Sequence, residues 1–338
     1  MNIEDINRFD PKKMYQTYDN WPMYAKDAFE KEFSKIQFQD IDHVVLAGMG
    51  GSGAIGDIIS AVLSRENIHV SNVKGYLLPK TVDKKTLVIA TSISGNTKET
   101  LSILDYKSKS DARFVAISSG GVMQEKCNKN SITHYDIPMI HSPRASFVTF
   151  LYSILNIFED ALPIEKTEVS ESIGKMNELQ KKINSKNLNQ ENPALSLAKN
   201  INLSPLIYYP DGLKAAAIRF KNSLQENSKI HASIEDIIEA SHNSVSTWEN
   251  GNNLKPILLQ GANDFVKTKE RWSIIKEYFS TNDIDFEEVY SVEGNIISKI
   301  VCLIYLLDYV SIYLAVLSGV DPSPVSAIDF IKKRLDRF

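Results

Sequence analysis

The sequence predicts an α/β protein made of two parallel sheets, each covered by helices on both faces. Three observations carry that expectation. Short apolar segments alternate with helical patterns along most of the 338 residues. Those segments are near-continuous in Val, Ile and Leu, as in VVLAG at 44–48 and TLVIATS at 86–92, which suits strands buried on both faces. The rhythm occurs twice, on either side of a polar, helix-patterned stretch at 163–200.

In chain order, residues 1–40 read as amphipathic helix, with Tyr15, Tyr18, Trp21, Phe29 and Phe33 as its apolar contacts. Strands are expected at 44–48, 73–78, 86–92, 113–119 and 132–138, and helices at 54–64, 96–109 and 146–162. Five strands at this spacing predict a flavodoxin-like, doubly wound unit. After the connecting helix come strands at 205–210, 255–261 and 284–291 and helices at 214–226, 265–280 and 296–320. The chain is therefore divided at 1–162 and 163–338.

The composition, 43% hydrophobic and 24% charged, is that of a soluble globular protein. The net charge of -4 comes from interleaved acids and bases, and no basic block offers itself to nucleic acid. Segment 296–320 is long and apolar enough to invite a membrane reading. Lys299 and Asp308 lie inside it, however, and charge is costly in lipid. A helix buried between protein layers is expected instead, part of it at an oligomer interface, with no membrane partner. Two isolated cysteines, Cys127 and Cys302, and an acidic, polar N-terminus without an apolar leader point to the cytoplasm. There is no H-x-H or H-E-x-x-H cluster, so no metal is expected.

Two loops carry the first functional signal. Residues 44–53 read VVLAGMGGSG, and Gly48, Gly50 and Gly53 fit the G-x-G-x-x-G of a dinucleotide-binding turn. That reading needs an acid about 20 residues later, at the end of the second strand, to hold the ribose. The expected second strand ends in Leu77-Leu78-Pro79. A dinucleotide oxidoreductase is disfavoured accordingly, and no cofactor is expected. The second loop reads TSISGNTKET at 91–100 and sets Ser92, Ser94 and Thr97 around Gly95 before a helix. Free backbone N–H groups there favour an anion, short hydroxyls add donors, and glycine permits close approach. One cap needs one hydroxyl. Three suggest a cradle for a phosphate monoester, closed from the first turn by Gly50, Gly51 and Ser52.

GMGGSG followed by TSISGNTKETL strongly resembles the sugar isomerase (SIS) domain, which binds phosphosugars. HSPRASF (141–147), NSLQENSK (222–229), SHNSVSTWE (241–249) and GVDPSPVSAIDFIKKRL (319–335) narrow the resemblance to the bifunctional phosphoglucose/phosphomannose isomerases. It spans nearly the whole chain in order. It implies two SIS domains, a phosphosugar substrate, a place in glycolysis or gluconeogenesis, and a homodimer with active sites near the subunit interface.

The reaction implied interconverts glucose 6-phosphate or mannose 6-phosphate with fructose 6-phosphate through an enediol. It needs a phosphate anchor, a base, a means of opening the ring, and positive charge near the developing enediolate, but no metal or redox cofactor. The resemblance places the catalytic base at Glu226 and the ring-opening histidine at His242, supplied by the partner subunit. It places an active-site arginine at Arg144 and a C-terminal active-site lysine at Lys332, with Lys333 adjacent. His231 is the rival histidine, five residues beyond Glu226. Ser244 stands where the family pattern has a glutamate after His-Asn. The competing readings are another SIS isomerase, acting on an aminosugar or pentulose phosphate, and a non-catalytic phosphosugar sensor.

Overall fold

The computed structural model describes residues 1–38, 40–251 and 253–335. Three N-terminal helices open the chain: α1 (Ile3–Phe9), α2 (Met14–Asp19) and α3 (Trp21–Glu30). The helical expectation for 1–40 thus ends at Glu30, and Gln39 lies outside the described residues. The first sheet consists of β1 (His43–Ala47), β2 (His69–Val73), β3 (Thr86–Ser92), β4 (Arg113–Ser118) and β5 (Thr133–Asp136). All pairs are parallel and the order is β2-β1-β3-β4-β5, the flavodoxin-like arrangement. β1 and β3 are buried along their whole length, which explains their unbroken apolar character. Ala47 lies level with Ala90, so the turns leaving β1 and β3 emerge side by side. This is the point at which strand order reverses, the usual ligand crevice of such sheets.

The second strand lies earlier than the apolar pattern suggested. Register pairs His43 with His69, which places β2 at 69–73 instead of 73–78. As an edge strand it is only partly covered and can be polar, whereas the apolar-looking Leu77 beyond it is 74% exposed. Helices α4 (Gly51–Val62), α5 (Lys98–Leu104), α6 (Gly121–Asn130) and α7 (Phe147–Ile157) flank this sheet. The helix expected at 96–109 tightens into a 3₁₀ turn after Leu104. The polar α6 was not anticipated because only Met123 and Cys127 are buried on it.

Helices α8 (Lys166–Ile183) and α9 (Pro193–Asn200) connect to the second sheet: β6 (Ser204–Tyr209), β7 (Ser233–Asp236), β8 (Leu254–Gln260) and β9 (Glu287–Tyr290). Its order, β7-β6-β8-β9, repeats the first sheet with one strand fewer. The four-residue β7, SIED, has no fully buried side chain and therefore no apolar signature. Helices α10 (Lys214–Ser223), α11 (Ile237–Ala240) and α12 (Val266–Thr281) follow their strands, and α13 (Ile296–Leu317) and α14 (Ser326–Leu335) end the described chain.

α13 is the central element. Asn295 caps it by accepting from Ser298 N–H at 2.9 Å. Its most apolar 18-residue window is 94% buried, so the chain itself covers it and leaves little for a subunit interface. Its tyrosines seek buried acceptors: Tyr305 donates to Tyr18 O at 2.8 Å and Tyr313 to Ile183 O at 2.6 Å. The N-terminal helices are bound in the same way, with Trp21 Nε1 donating to Ala145 O at 2.8 Å.

The turns after β3 and β4 interlock at a position only glycine satisfies. Gly95 has φ +71°, and a Cβ there would fall 1.9 Å from Gly120 O. Gly95 N–H donates to Ser92 O and its carbonyl accepts from Met123 N–H, both at 2.9 Å. Replacing Gly95 with Ala combines left-handed strain with a backbone overlap and should destabilise the fold by about 1–3 kcal/mol. Urea unfolding checks this; an unchanged midpoint would show that the turn relaxes freely.

Candidate active site

β1 runs straight into the glycine turn. Gly50 takes φ +55° and ψ -122° ahead of α4, a backbone path that favours glycine. Lys74 follows β2 and pairs with Asp57 at 2.6 Å, so a basic residue occupies the place where a dinucleotide site needs an acid. From the turn, the buried Ser52 Oγ accepts from Ile93 N–H at 3.2 Å. This bond joins the turn to the 92–97 loop, and Ser119 Oγ braces the other side through Ile93 O at 2.7 Å.

Within that loop Ser92 Oγ donates to Thr97 Oγ1 at 2.9 Å. Thr97 is the N-cap residue of α5, yet its side chain makes no capping bond. The half-buried Ser94 holds Asn96 N–H at 3.4 Å. The hydroxyls at 92, 94 and 97 are therefore gathered at one helix start, where Ser92 and Ser94 also accept the Thr97 and Asn96 N–H groups at 3.4 Å and Thr97 itself is not used as a cap.

The loop before α7 brings Arg144 to Gly51: a Cβ on Gly51 would lie 3.5 Å from Pro143 O and 3.7 Å from Arg144 Cα. The buried Arg144 guanidinium is nearly fully committed. Nε donates to Asn227 Oδ1 at 2.7 Å, and Nη2 donates to Pro322 O at 2.6 Å and Ser323 O at 2.8 Å. Nη1 faces Glu226 at 3.7 Å. Two of the four expected catalytic residues, Arg144 and Glu226, thus meet from opposite halves of the chain.

Glu226 does not end a regular helix. α10 stops at Ser223, and residues 224–228 widen into a π turn closed by Lys229 N–H on Leu224 O. Such turns insert one extra residue into a helix. Buried polar side chains hold the widening: Asn227 Nδ2 donates to Ser311 Oγ at 2.9 Å and Ser228 Oγ to Ser311 O at 2.6 Å. The result leaves the Glu226 side chain 27% exposed in a segment where Leu224, Asn227 and Ser228 are buried. Lys229 closes the turn with φ +59°, and its Nζ donates to Glu226 O and, at 2.7 Å, to Pro324 O.

Behind this centre lies a pair that sequence inspection did not place there. Arg219, on α10, is 3% exposed and Asp308, on α13, is fully buried. Nη2 reaches Asp308 Oδ2 at 2.6 Å and Nε lies 3.2 Å from the same oxygen. Burial opposes the charge of Arg219, yet the Asp308 carboxylate holds the guanidinium above its ordinary pKa. The signal was available in half: a carboxylate inside an apolar helix must have a buried counter-charge. Nothing in the sequence said that Arg219 supplies it. Tyr18 packs beside this cluster, where burial, then the Asp308 charge, pushes its phenol upward.

His242 and Lys332 are not brought to the Glu226 centre within one chain. His242 is exposed in the turn after α11, whose start Asp236 caps by accepting from Ile238 N–H at 2.8 Å. Ser244 donates to the Glu235 carboxylate, so that turn still has a carboxylate beside it, supplied from β7. His231 is likewise exposed. Lys332 and Lys333 sit on α14, none of whose residues is buried. Among the described residues, no three His, Cys, Asp or Glu side chains gather where they could hold a metal ion.

The family described as bacterial phospho-glucose isomerase C-terminal SIS domain matches residues 190–335. A protein from Caldicellulosiruptor bescii named bifunctional phosphoglucose/phosphomannose isomerase is 32% identical over 334 residues, covering 95% of this chain and 98% of that one. One of the same name from Thermoplasma acidophilum is 32% identical over 87% of this chain and 89% of its own. Among solved structures, the tagatose-6-phosphate ketose/aldose isomerase of Escherichia coli superposes with a TM-score of 0.66 over 95% of this chain and 93% of that one. At 14% identity that likeness speaks for the fold alone. The identity and the near-complete coverage of these relatives, together with the SIS match, make this chain a member of the bifunctional phosphoglucose/phosphomannose isomerase family.

Proposed function

We propose that this chain interconverts glucose 6-phosphate or mannose 6-phosphate with fructose 6-phosphate by aldose-ketose isomerisation, without a metal or redox cofactor. One observation supports this most: Glu226 faces Arg144 Nη1 at 3.7 Å, close to the glycine turn, while the other two guanidinium nitrogens bond to Asn227, Pro322 and Ser323. A carboxylate can carry a proton between adjacent carbons, and a fixed guanidinium can stabilise the oxygen that gains charge. In this reading Gly50, Gly51, Ser52, Ser92, Ser94 and Thr97 seat the 6-phosphate. Glu226 takes the C2 proton of the open aldose, the C–H electron pair forms the C1–C2 double bond, and negative charge moves to the C1 oxygen beside Arg144. That oxygen takes up a proton, giving the enediol. Glu226 returns its proton to C1 while the C2 hydroxyl gives one up and becomes the ketone. Glucose and mannose phosphates differ only at C2 and share this planar enediol.

The same reading divides the chain at 1–162 and 163–338, a boundary that falls between α7 and α8 and leaves one sheet on each side. It places His242, as the ring-opening group, and Lys332 at a homodimer interface. Support comes from the exposed position of both and from an uncovered apolar face on α14, where Ile328, Ile331 and Leu335 are 38–57% exposed. Buried, unpaired Cys127 and Cys302 agree with a cytoplasmic setting.

The deciding experiment is a coupled assay on EDTA-treated protein, with each aldose phosphate offered separately. Turnover of both is expected. Turnover of glucose 6-phosphate alone would remove the mannose activity, and turnover of neither would overturn the isomerase reading. Glu226→Gln should abolish turnover while phosphosugar binding persists, and equal activity in that variant would remove Glu226 from the mechanism. Mixing inactive Glu226→Gln and His242→Ala subunits should restore about a quarter of wild-type activity, because one hybrid site in two regains both groups. No recovery would return His242 to its own subunit or remove it from the site.

A further inference from the structure

We propose that the buried Arg219–Asp308 pair is the positioning element of this active site, holding Arg144 in register with the turn that carries Glu226. The proposal rests on the isomerase reading and names residues that reading does not use. Its basis is how the two side chains are tied at both ends. Asp308 takes Arg219 through two nitrogens and also accepts from Ser223 Oγ at 2.5 Å. Ser223 is the residue from which the π turn departs, so the carboxylate fixes the start of the Glu226 segment.

At the other end Arg219 Nη2 also donates to the backbone carbonyl of Arg144 at 2.8 Å, and the guanidinium lies over the Phe147 ring at 4.7 Å. A Cβ built on Gly51 would lie 3.5 Å from Arg219 Nη1, which places the guanidinium beside the glycine turn. One guanidinium thus bonds the Arg144 backbone, covers the first turn of α7 and lies beside the glycine turn, all from the first half of the chain. Its carboxylate partner and Ser223 come from the second. Bonds to Asn227, Pro322 and Ser323 fix the Arg144 guanidinium, and the bond from Arg219 to its carbonyl fixes the backbone, so Arg144 is held at both ends with Nη1 facing Glu226.

A buried ion pair can also be nothing more than a folding feature, and chemistry separates the two roles. An apolar pair of similar volume in place of a buried salt bridge commonly folds as well or better. It cannot reproduce a hydrogen bond to a backbone carbonyl. Misplacement of reacting groups by about 1 Å costs on the order of 100-fold in rate. The test is the double variant Arg219→Met with Asp308→Leu, and separately Arg219→Lys, which keeps the charge but loses the planar fork that reaches both Asp308 and Arg144. Thermal unfolding reports folding, and steady-state kinetics separate kcat from KM on glucose 6-phosphate.

The double variant should fold cooperatively, with kcat reduced about 100-fold and KM within about threefold of wild type. Arg219→Lys should retain the fold and lose at least about tenfold in kcat. If the double variant does not fold, the Lys variant decides alone. Wild-type kcat in either folded variant would overturn the positioning role. Absence of turnover in the wild-type protein would sink the isomerase reading and this proposal with it, and the wild-type assay alone distinguishes that failure.

Discussion

Two opposite charges sit where water cannot reach them. The carboxylate of Asp308 is fully buried in the long apolar helix α13, and Arg219 is its partner on the neighbouring helix. Removing both from solvent is expensive, and attraction offsets that cost only when the geometry is tight and the remaining hydrogen-bonding capacity is filled. Here Asp308 also accepts from Ser223, and Arg219 donates to the Arg144 carbonyl and lies over the Phe147 ring face. Those partners fix the relation of α10, α13 and the loop before α7. The glycine turn, Arg144 and the Glu226 turn all take their places from that arrangement.

Around this pair, buried polar groups do the aiming and exposed ones are left free. Asn227 and Ser228 of the widened turn bond to Ser311 of α13 and are buried, while Glu226 stays partly exposed. Arg144 uses three donors internally and keeps one nitrogen for the space in front of Glu226. The backbone of the 92–97 loop is braced at Ile93 by Ser52 on one side and Ser119 on the other, while its hydroxyls bond within the loop, Ser92 to Thr97 and Ser94 to Asn96. A site assembled in this way is preorganised, because few of its groups must move or shed water when charge develops. His242 and Lys332 differ in kind: they stand exposed on α11's turn and on α14, positions that a second subunit could complete.

Much of this was legible in the amino-acid order, and the rest was hidden for identifiable reasons. β1 and β3 are buried on both faces, so their apolar runs announce them. β2 and β7 are edge strands with exposed polar positions, and one was placed a few residues late while the other was missed. The hydroxyl cluster at 92–97 could be read because local chemistry and a helix start lie within one loop. The meeting of Arg144 with Glu226 could not, since 82 positions separate them (226 minus 144) and no spacing rule spans that distance.

By itself, the sequence determined what local physics can determine: two runs of strand and helix, a glycine-rich turn after the first strand, a loop of hydroxyls, and charge stranded in an apolar helix. It also carried the family's motifs in order. Only the tertiary structure decided which cation answers Asp308, that the Glu226 segment widens into a π turn, and that Arg144 turns one nitrogen toward Glu226. The reason is that burial and hydrogen-bond satisfaction are properties of elements packed together. A lone Asp in an apolar run requires a partner, but which of the chain's arginines and lysines reaches it is settled when α10 lies against α13.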